Sequence, residues 1–325
     1  MTLTTPGAGP ALATRTGPRL GGVGPILTVL AVLLLIMLIR QPDFYQPGPL
    51  LAFLKRAAPL IILAAGQYFV IVAGEFDLSV GSLITAEVVI AARLIDSEPS
   101  HTWPVVALLV AFGLVVGVVN GLVTTALRVP SFITTLAMFL ILVGAVYAWS
   151  GGSPKGGLSE EFRLLGRRGI DVGGVQLPYA VLVLLGVATV AVLVMRSDFG
   201  RTLVAVGDNA RTAELTGVRV GRTKLIAFVL SAACATIAAI LLGGFGGVSF
   251  QVGAGLEFTA ITSVVLGGVV LGGGRGSVVG AMLGSLTLEV LFTLLNFIGI
   301  AGAAKSAVQG LIIIIAVAVG SLQRR

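Results

Sequence analysis

The sequence predicts an all-α polytopic membrane protein of about ten transmembrane helices with both termini in the cytosol, and three observations carry that reading. First, only 11% of its 325 residues are charged and 56% are hydrophobic, with a mean hydropathy of +1.07; a soluble domain carries about 25% charged residues. Second, runs such as Gly22–Ile39 and Val308–Leu322 are long and apolar enough to be membrane helices. Third, those runs are continuous rather than alternating. In hydrocarbon every backbone polar group must be satisfied internally, so only helices or a closed barrel can span, and a barrel needs alternation.

Taken in order, residues 1–22, with Arg15 and Arg19, read as a short disordered cytosolic tail. The apolar run behind them is longer than a signal-peptide core, and no small-x-small cleavage site follows it. Residues 23–325 then form one transmembrane domain. Its apolar segments predict helices over Gly24–Ile39, Leu54–Ala73, Leu78–Ile95, Trp103–Ala126 and Phe132–Trp149. The second half adds Pro178–Met195, Leu225–Phe245, Thr259–Leu271, Ser277–Ile298 and Ala304–Leu322. An even count puts both ends on one side.

Lysines and arginines set the orientation. With the termini inside, about 12 of the 21 fall on the cytosolic side. The segment at about 196–224 concentrates Arg196, Arg201, Arg211, Arg219, Arg222 and Lys224, and Arg324 and Arg325 join it on that side. The Gly-rich stretch at about 150–177 mixes Lys155, Arg163, Arg167 and Arg168 with Glu160, Glu161 and Asp171, and is placed outside as a loop. The net charge of +7 suits anionic membrane lipid at the helix ends. Nucleic acid is not a partner, because there is no basic helix or aromatic platform to hold it.

Several chemistries are excluded. The single cysteine, Cys234, allows neither an intrachain disulfide nor a cysteine metal cluster, and the single histidine, His101, sits in a polar link. No phosphate-binding G-x-x-x-x-G-K occurs. The chain carries no cofactor and no metal, and it is not an enzyme. If ATP drives it, another chain binds the ATP.

Glycine is patterned. Gly113, Gly117 and Gly121 recur every four residues in the fourth predicted helix, and Gly276, Gly280 and Gly284 do so at the start of the ninth. Small residues at this spacing let two helices approach closely. Within the polar segment, Asn209–Leu215 predicts a short helix; Asp208 or Asn209 can cap its start and Gly217 can end it in a left-handed conformation.

That segment resembles the cytosolic coupling region of ABC-importer permeases for ribose and related monosaccharides. The residues that carry the likeness are Gly200, Arg201, Ala205, Gly207, Asn209, Ala213, Gly217, Val218 and Lys224, with Thr212 standing where an alanine is more usual. Three further stretches are similar to the same family: Gly74–Ser82, Asn120–Leu136 and Val264–Ala281. In order they span most of the chain beyond the first helix. The resemblance implies the architecture of an ABC-importer permease in a bacterial inner membrane. It also implies a second permease subunit, cytosolic ATPase subunits and an extracytoplasmic sugar-binding protein. Gly207, Asn209, Ala213, Glu214, Gly217 and Val218 would then meet the ATPase, and a monosaccharide or similar solute would pass by alternating access.

Polar residues inside the spans are the candidates for a substrate pathway. Ser285, Glu289, Thr293 and Asn296 fall at i, i+4, i+8 and i+11 of the ninth helix, one stripe that offers donors and acceptors to a hydroxyl-rich solute. The same stripe could instead knit helices together. Glu87 has no basic residue at helical spacing in its own span, so it is neutral or meets a partner from another helix. Asn120, on the glycine face, reads as interhelical glue or as a ligand. A different function class, a proton-coupled secondary transporter using Glu87 or Glu289, stands as the alternative.

The stretch Ala73–Ser82 joins the second and third helices. Asp77 or Ser79 can cap the third helix, and Gly74 and Gly81 allow a sharp turn and close packing. Glu75, where the family more often has glycine, has no assigned partner.

Overall fold

The computed structural model describes residues 23–300 and 302–322. The predicted tail and the Arg324–Arg325 pair lie outside the described residues. Each predicted apolar segment falls on a helix: α1 (Gly24–Arg40), α2 (Pro47–Val72), α3 (Val80–Ile95), α4 (Thr102–Thr125), α5 (Ser131–Ser150), α7 (Tyr179–Arg196), α10 (Val220–Gly246), α11 (Leu256–Leu266), α12 (Val278–Phe297) and α13 (Ala303–Leu322). The polar stretches supply α6 (Glu160–Arg167), α8 (Asp198–Asp208) and α9 (Ala210–Leu215). Among the described residues, α2, α4, α5, α7, α10 and α12 have the length and hydropathy to cross a membrane. Shorter than these are α3, with 16 residues, and α11, with 11.

Three boundaries move from their expected places. α2 starts at Pro47 rather than Leu54, because proline at its first positions supplies a preset helical φ and loses no needed N–H. The cations Lys55 and Arg56 therefore lie in the third turn of the helix rather than at its first positions. α10 starts at Val220 rather than Leu225. α11 stops at Leu266, where the Gly267–Gly268 pair ends it, and not at Leu271.

The stretch at 150–177, expected as a loop, is partly ordered into elements. Ser159 accepts from the Phe162 N–H at 3.2 Å and so caps α6. An antiparallel hairpin follows, β1 (Gly169–Val172) with β2 (Val175–Pro178), Gly169 facing Pro178 across a Gly173–Gly174 turn. Phe162 is fully buried and anchors this cover on Ala91, Ala92 and Ile95 of α3.

The core runs along α2, which is buried on all sides from Ala57 to Val72. α10 packs against α2, α3 and α4. On α4 the glycine face makes the close helix approach that the spacing predicts, and the partner is α10: side chains at Gly113, Gly117 and Gly121 would run into Thr236, Ala232 and Leu225 respectively. The second glycine series does the same for α12 against α11, where Gly280 and Gly284 abut the backbone of Gly267 and Ser263. Leu35, Val115, Ile141 and Leu193, all more than half exposed, present apolar surface of the kind lipid solvates.

The bundle has two distinct ends. One gathers α8, α9, the 73–79 link and the Gly-rich turn at 267–277. The other gathers the hairpin, α6 and the start of α2, where Lys55 Nζ donates to the Arg167 carbonyl at 3.4 Å.

Candidate functional site

At the first end the expected polar loop is a two-helix shelf. α8 buries Gly200, Leu203 and Val206. Its Gly207 sits directly against the Val72 carbonyl at the end of α2, a contact that only glycine fits. The same carbonyl accepts from the Gly274 N–H at 2.9 Å, so α8, α2 and the 267–277 turn meet at one point. α9 is fixed at both ends as its residues predict. Asn209 Oδ1 accepts from the Thr212 N–H at 2.9 Å. At the other end Gly217, with φ +87°, closes the helix. The Val218 N–H returns to the Ala213 carbonyl at 3.1 Å and the Gly217 N–H to Glu214 at 3.0 Å. Ala213 is the residue α9 buries; Glu214, Leu215 and Gly217 are exposed.

A second strut ties α10 to the link between α2 and α3. Lys224 Nζ pairs with Glu75 Oε1 at 2.5 Å, with both side chains less than a fifth exposed. The Phe76 N–H donates to Ser131 Oγ at 3.1 Å, bringing the start of α5 to the same link.

Asp77 and Ser79 do not cap α3 as expected. The Ser79 side chain makes no bond to the helix's first N–H groups. Instead Asp77 Oδ1 accepts from the Ser79 N–H at 3.0 Å and from the Ser79 hydroxyl at 2.7 Å, a turn closed on itself one residue ahead of the helix. Its other oxygen accepts from Ser231 Oγ of α10 at 3.0 Å. Asn120 Nδ2 of α4 donates to Ser79 Oγ at 2.9 Å. Asp77, Ser79, Asn120 and Ser231 are all buried. The stretch is thus a polar hub joining three helices. Gly74, with φ +82°, makes the turn that leads into it, and Gly81 packs against Glu257.

The acids within the spans have separate settings. Glu87 is fully buried and accepts from the Thr236 hydroxyl of α10 at 2.6 Å, so its partner does come from another helix. Gly113 of α4 leaves the room for that pair. The α12 stripe does not share one environment. Ser285 is buried, Glu289 and Thr293 are half-buried and Asn296 is exposed. Glu289 lines a cavity of about 250 Å³ with Arg56, Leu60, Leu242 and Thr259. Thr293 lines a neighbouring one of about 450 Å³ with Asp43, Lys55, Arg56 and Phe297. Arg56 is common to both.

Sequence reasoning missed four participants: Glu75 as an ion-pair partner, the hydroxyls of Ser231 and Thr236, and Arg56. The partners of the first three lie some 150 residues away in the chain, beyond any local pattern. For Arg56 the signal was available, since an arginine inside an apolar run needs a reason.

Against known proteins, the family described as branched-chain amino acid transport system / permease component matches residues 50–317. The chain is 33% identical over 298 residues to the ribose import permease protein RbsC of Escherichia coli (strain K12), covering 90% of this chain and 92% of that one. It is 33% identical over 316 residues to the galactose/methyl galactoside import permease protein MglC of the same organism, covering 92% and 94%. The autoinducer 2 import system permease protein LsrC of Escherichia coli O157:H7 is 32% identical over 292 residues, covering 89% and 84%. No solved structure matches the chain. A family match over most of the length, on a bundle whose shelf and hub draw on the motifs that suggested it, places this chain among the permease components of that transport family.

Proposed function

We propose that the chain is the membrane-spanning subunit of an ATP-driven importer that carries a monosaccharide or a similar small polar solute across a bacterial plasma membrane. The relatives are named for ribose, galactose and autoinducer 2 import, which supports a hydroxyl-rich solute. The observation that carries the coupling part of this reading is the junction of Gly207, Val72 and Gly274. A shelf bonded to the bundle at that point moves α2 when it is pushed; a free loop would not.

In this reading a cytosolic ATPase seats on α9, against the exposed Glu214 and Gly217 and the frame set by Asn209, Ala213 and Val218. Two routes lead inward. One passes through Gly207 to α2, the other through Lys224 and Glu75 to the Asp77 hub and so to α3, α4 and α10. Alternating access follows from a second permease subunit, identical or related, facing this one. The hairpin end receives an extracytoplasmic binding protein. Asn120 and Glu87 hold helices together and Ser285 is enclosed, while Glu289 and Thr293 face open cavities and stand as the pathway residues of α12.

The test is ATP-dependent uptake by vesicles containing the permease, its ATPase and its binding protein. Omitting the ATPase must abolish uptake; uptake that continues on an ion gradient alone refutes the reading.

A further inference from the structure

α3 and α11, the two shortest of the apolar helices, begin together, each with buried residues in its first turn. Gly81 in the first turn of α3 lies against the Glu257 carboxylate in the first turn of α11. The Gly253 N–H ahead of α11 donates to Thr85 Oγ1 at 3.1 Å. Broken helices of this kind bring backbone and polar side chains to membrane depth only where they are packed in protein or line a passage. A cavity of about 170 Å³ opens between α3, α5 and the segment 247–255, and its wall includes Ser82, Thr85, Tyr147, Phe250, Gln251 and Ala254. That is several times the roughly 30 Å³ share of one water, room for a small solute.

The wall has the two kinds of surface a sugar needs. Thr85 accepts from Gly253 and keeps its own proton to donate; Ser82 donates to the Ser79 carbonyl at 2.8 Å and keeps oxygen lone pairs to accept. Gln251 is exposed and carries both functions. Opposite these, the rings of Tyr147 and Phe250 stack with centroids 4.2 Å apart and planes 17° from parallel, offering aromatic faces to the C–H side of a sugar ring. Independently, Glu257 is 5% exposed, and its Oε2 has no hydrogen-bond partner among the described residues. That oxygen is aimed at Gly81, a residue of the cavity wall.

The stack also closes something. Tyr147 belongs to the last turn of α5 and Phe250 to the 247–255 segment, so the pair bridges the two walls of the cavity at the hairpin end. A solute entering between α5 and that segment has to part the rings. We infer that this cavity is a transient sugar-contacting station in the permease and that Tyr147 and Phe250 are its outer gate, an inference that rests on the importer function proposed above. It places the main solute contacts on α3, α5 and the 247–255 segment, apart from the α12 stripe.

The test uses the complete importer in vesicles, with sugar uptake and ATP hydrolysis measured on the same samples. Failure of the wild-type complex to import with ATP would sink the importer reading itself. Given a working wild type, Gln251→Ala and Thr85→Ser are expected to lower uptake about tenfold and about twofold with hydrolysis still stimulated by the binding protein. For the gate, Tyr147→Cys with Phe250→Cys is joined by a short bifunctional thiol reagent; the native Cys234 is buried and does not compete. Joining should stop uptake in that double variant, whereas the same treatment should leave each single variant at its own untreated rate, itself lowered by loss of one aromatic face. Uptake that persists through the joined gate, or that is unchanged by Gln251→Ala, overturns the inference.

Discussion

Glu75 and Lys224 form an ion pair across 149 residues of sequence, joining the link before α3 to the first turns of α10 at a place where both side chains are largely shielded from water. The relation explains a carboxylate that no local pattern accounts for: the lysine belongs to the family-like coupling segment, and this chain supplies its own acid to meet it. Because desolvation makes a lone charge costly, removing one partner is worse than removing both. Glu75→Ala and Lys224→Met should each destabilise the detergent-solubilised protein by about 2 kcal/mol, a value between exposed and fully buried pairs. The exchange Glu75→Lys with Lys224→Glu should recover most of that. Thermal unfolding of the four proteins checks it, and an exchange variant no more stable than either single variant would mean the pair does not interact.

Gly207 tests the shelf. Any side chain there runs into the Val72 carbonyl and the Gly274 N–H, which are backbone and cannot swing aside. Gly207→Val should therefore lift α8 from α2, leaving ATPase binding intact and uncoupling hydrolysis from uptake, with the sugar moved per ATP falling at least about fivefold. Measuring both rates on one preparation decides it; unchanged coupling would remove the mechanical role of the junction.

Gly217 tests the docking face, and its geometry predicts the opposite pattern. Nothing lies within 4 Å of a side chain built at Gly217, and the residue has φ +87°. Gly217→Ala should cost about 1 kcal/mol of local backbone strain and little else. Gly217→Trp should leave the bundle folded while its ring stands off α9 and blocks the ATPase. Pull-down of the ATPase with each variant separates the two; full docking by the tryptophan variant would show that the partner sits elsewhere.

The Asp77 hub offers a stability test. Asp77→Ala removes the acceptor of bonds from the Ser79 N–H, the Ser79 hydroxyl and the Ser231 hydroxyl, leaving buried donors unpaired. A loss of about 3 kcal/mol is expected, against about 1 kcal/mol for Ser231→Ala, which removes only one of those bonds. Denaturation of the purified protein gives both numbers, and equal losses would mean the hub does not hold the α3 turn.

Much of this was legible in the sequence where the cause is local, and little where the cause is a partner from elsewhere in the chain. Continuous apolar runs announced each of the long helices, and four-residue glycine spacing announced a close-packing face on α4, though not that α10 is what Gly113, Gly117 and Gly121 meet. Asn209 and Gly217 disclosed α9 because caps act within a few residues. α8 went unrecognised because its charged exterior reads as loop until Leu203 and Val206 are seen to bury against the bundle. Asp77 was read as a cap because capping is the local use of such a residue; its actual partners Ser231 and, through Ser79, Asn120 arrive by tertiary packing. The α12 stripe had the right period, yet period alone does not say that Ser285 is enclosed and Asn296 open.

The central claim is that this permease is moved by a separate ATPase and not by a proton. Glu87→Gln tests it most directly, since the amide keeps an oxygen for the Thr236 hydroxyl at the position where the carboxylate accepts at 2.6 Å, but can no longer carry a proton. Sugar uptake by vesicles holding this variant, the ATPase and the binding protein should match the wild type within about twofold, require ATP, and ignore an imposed proton gradient. Uptake that collapses in the variant, or a wild type that imports on the gradient without ATP, would contradict the account.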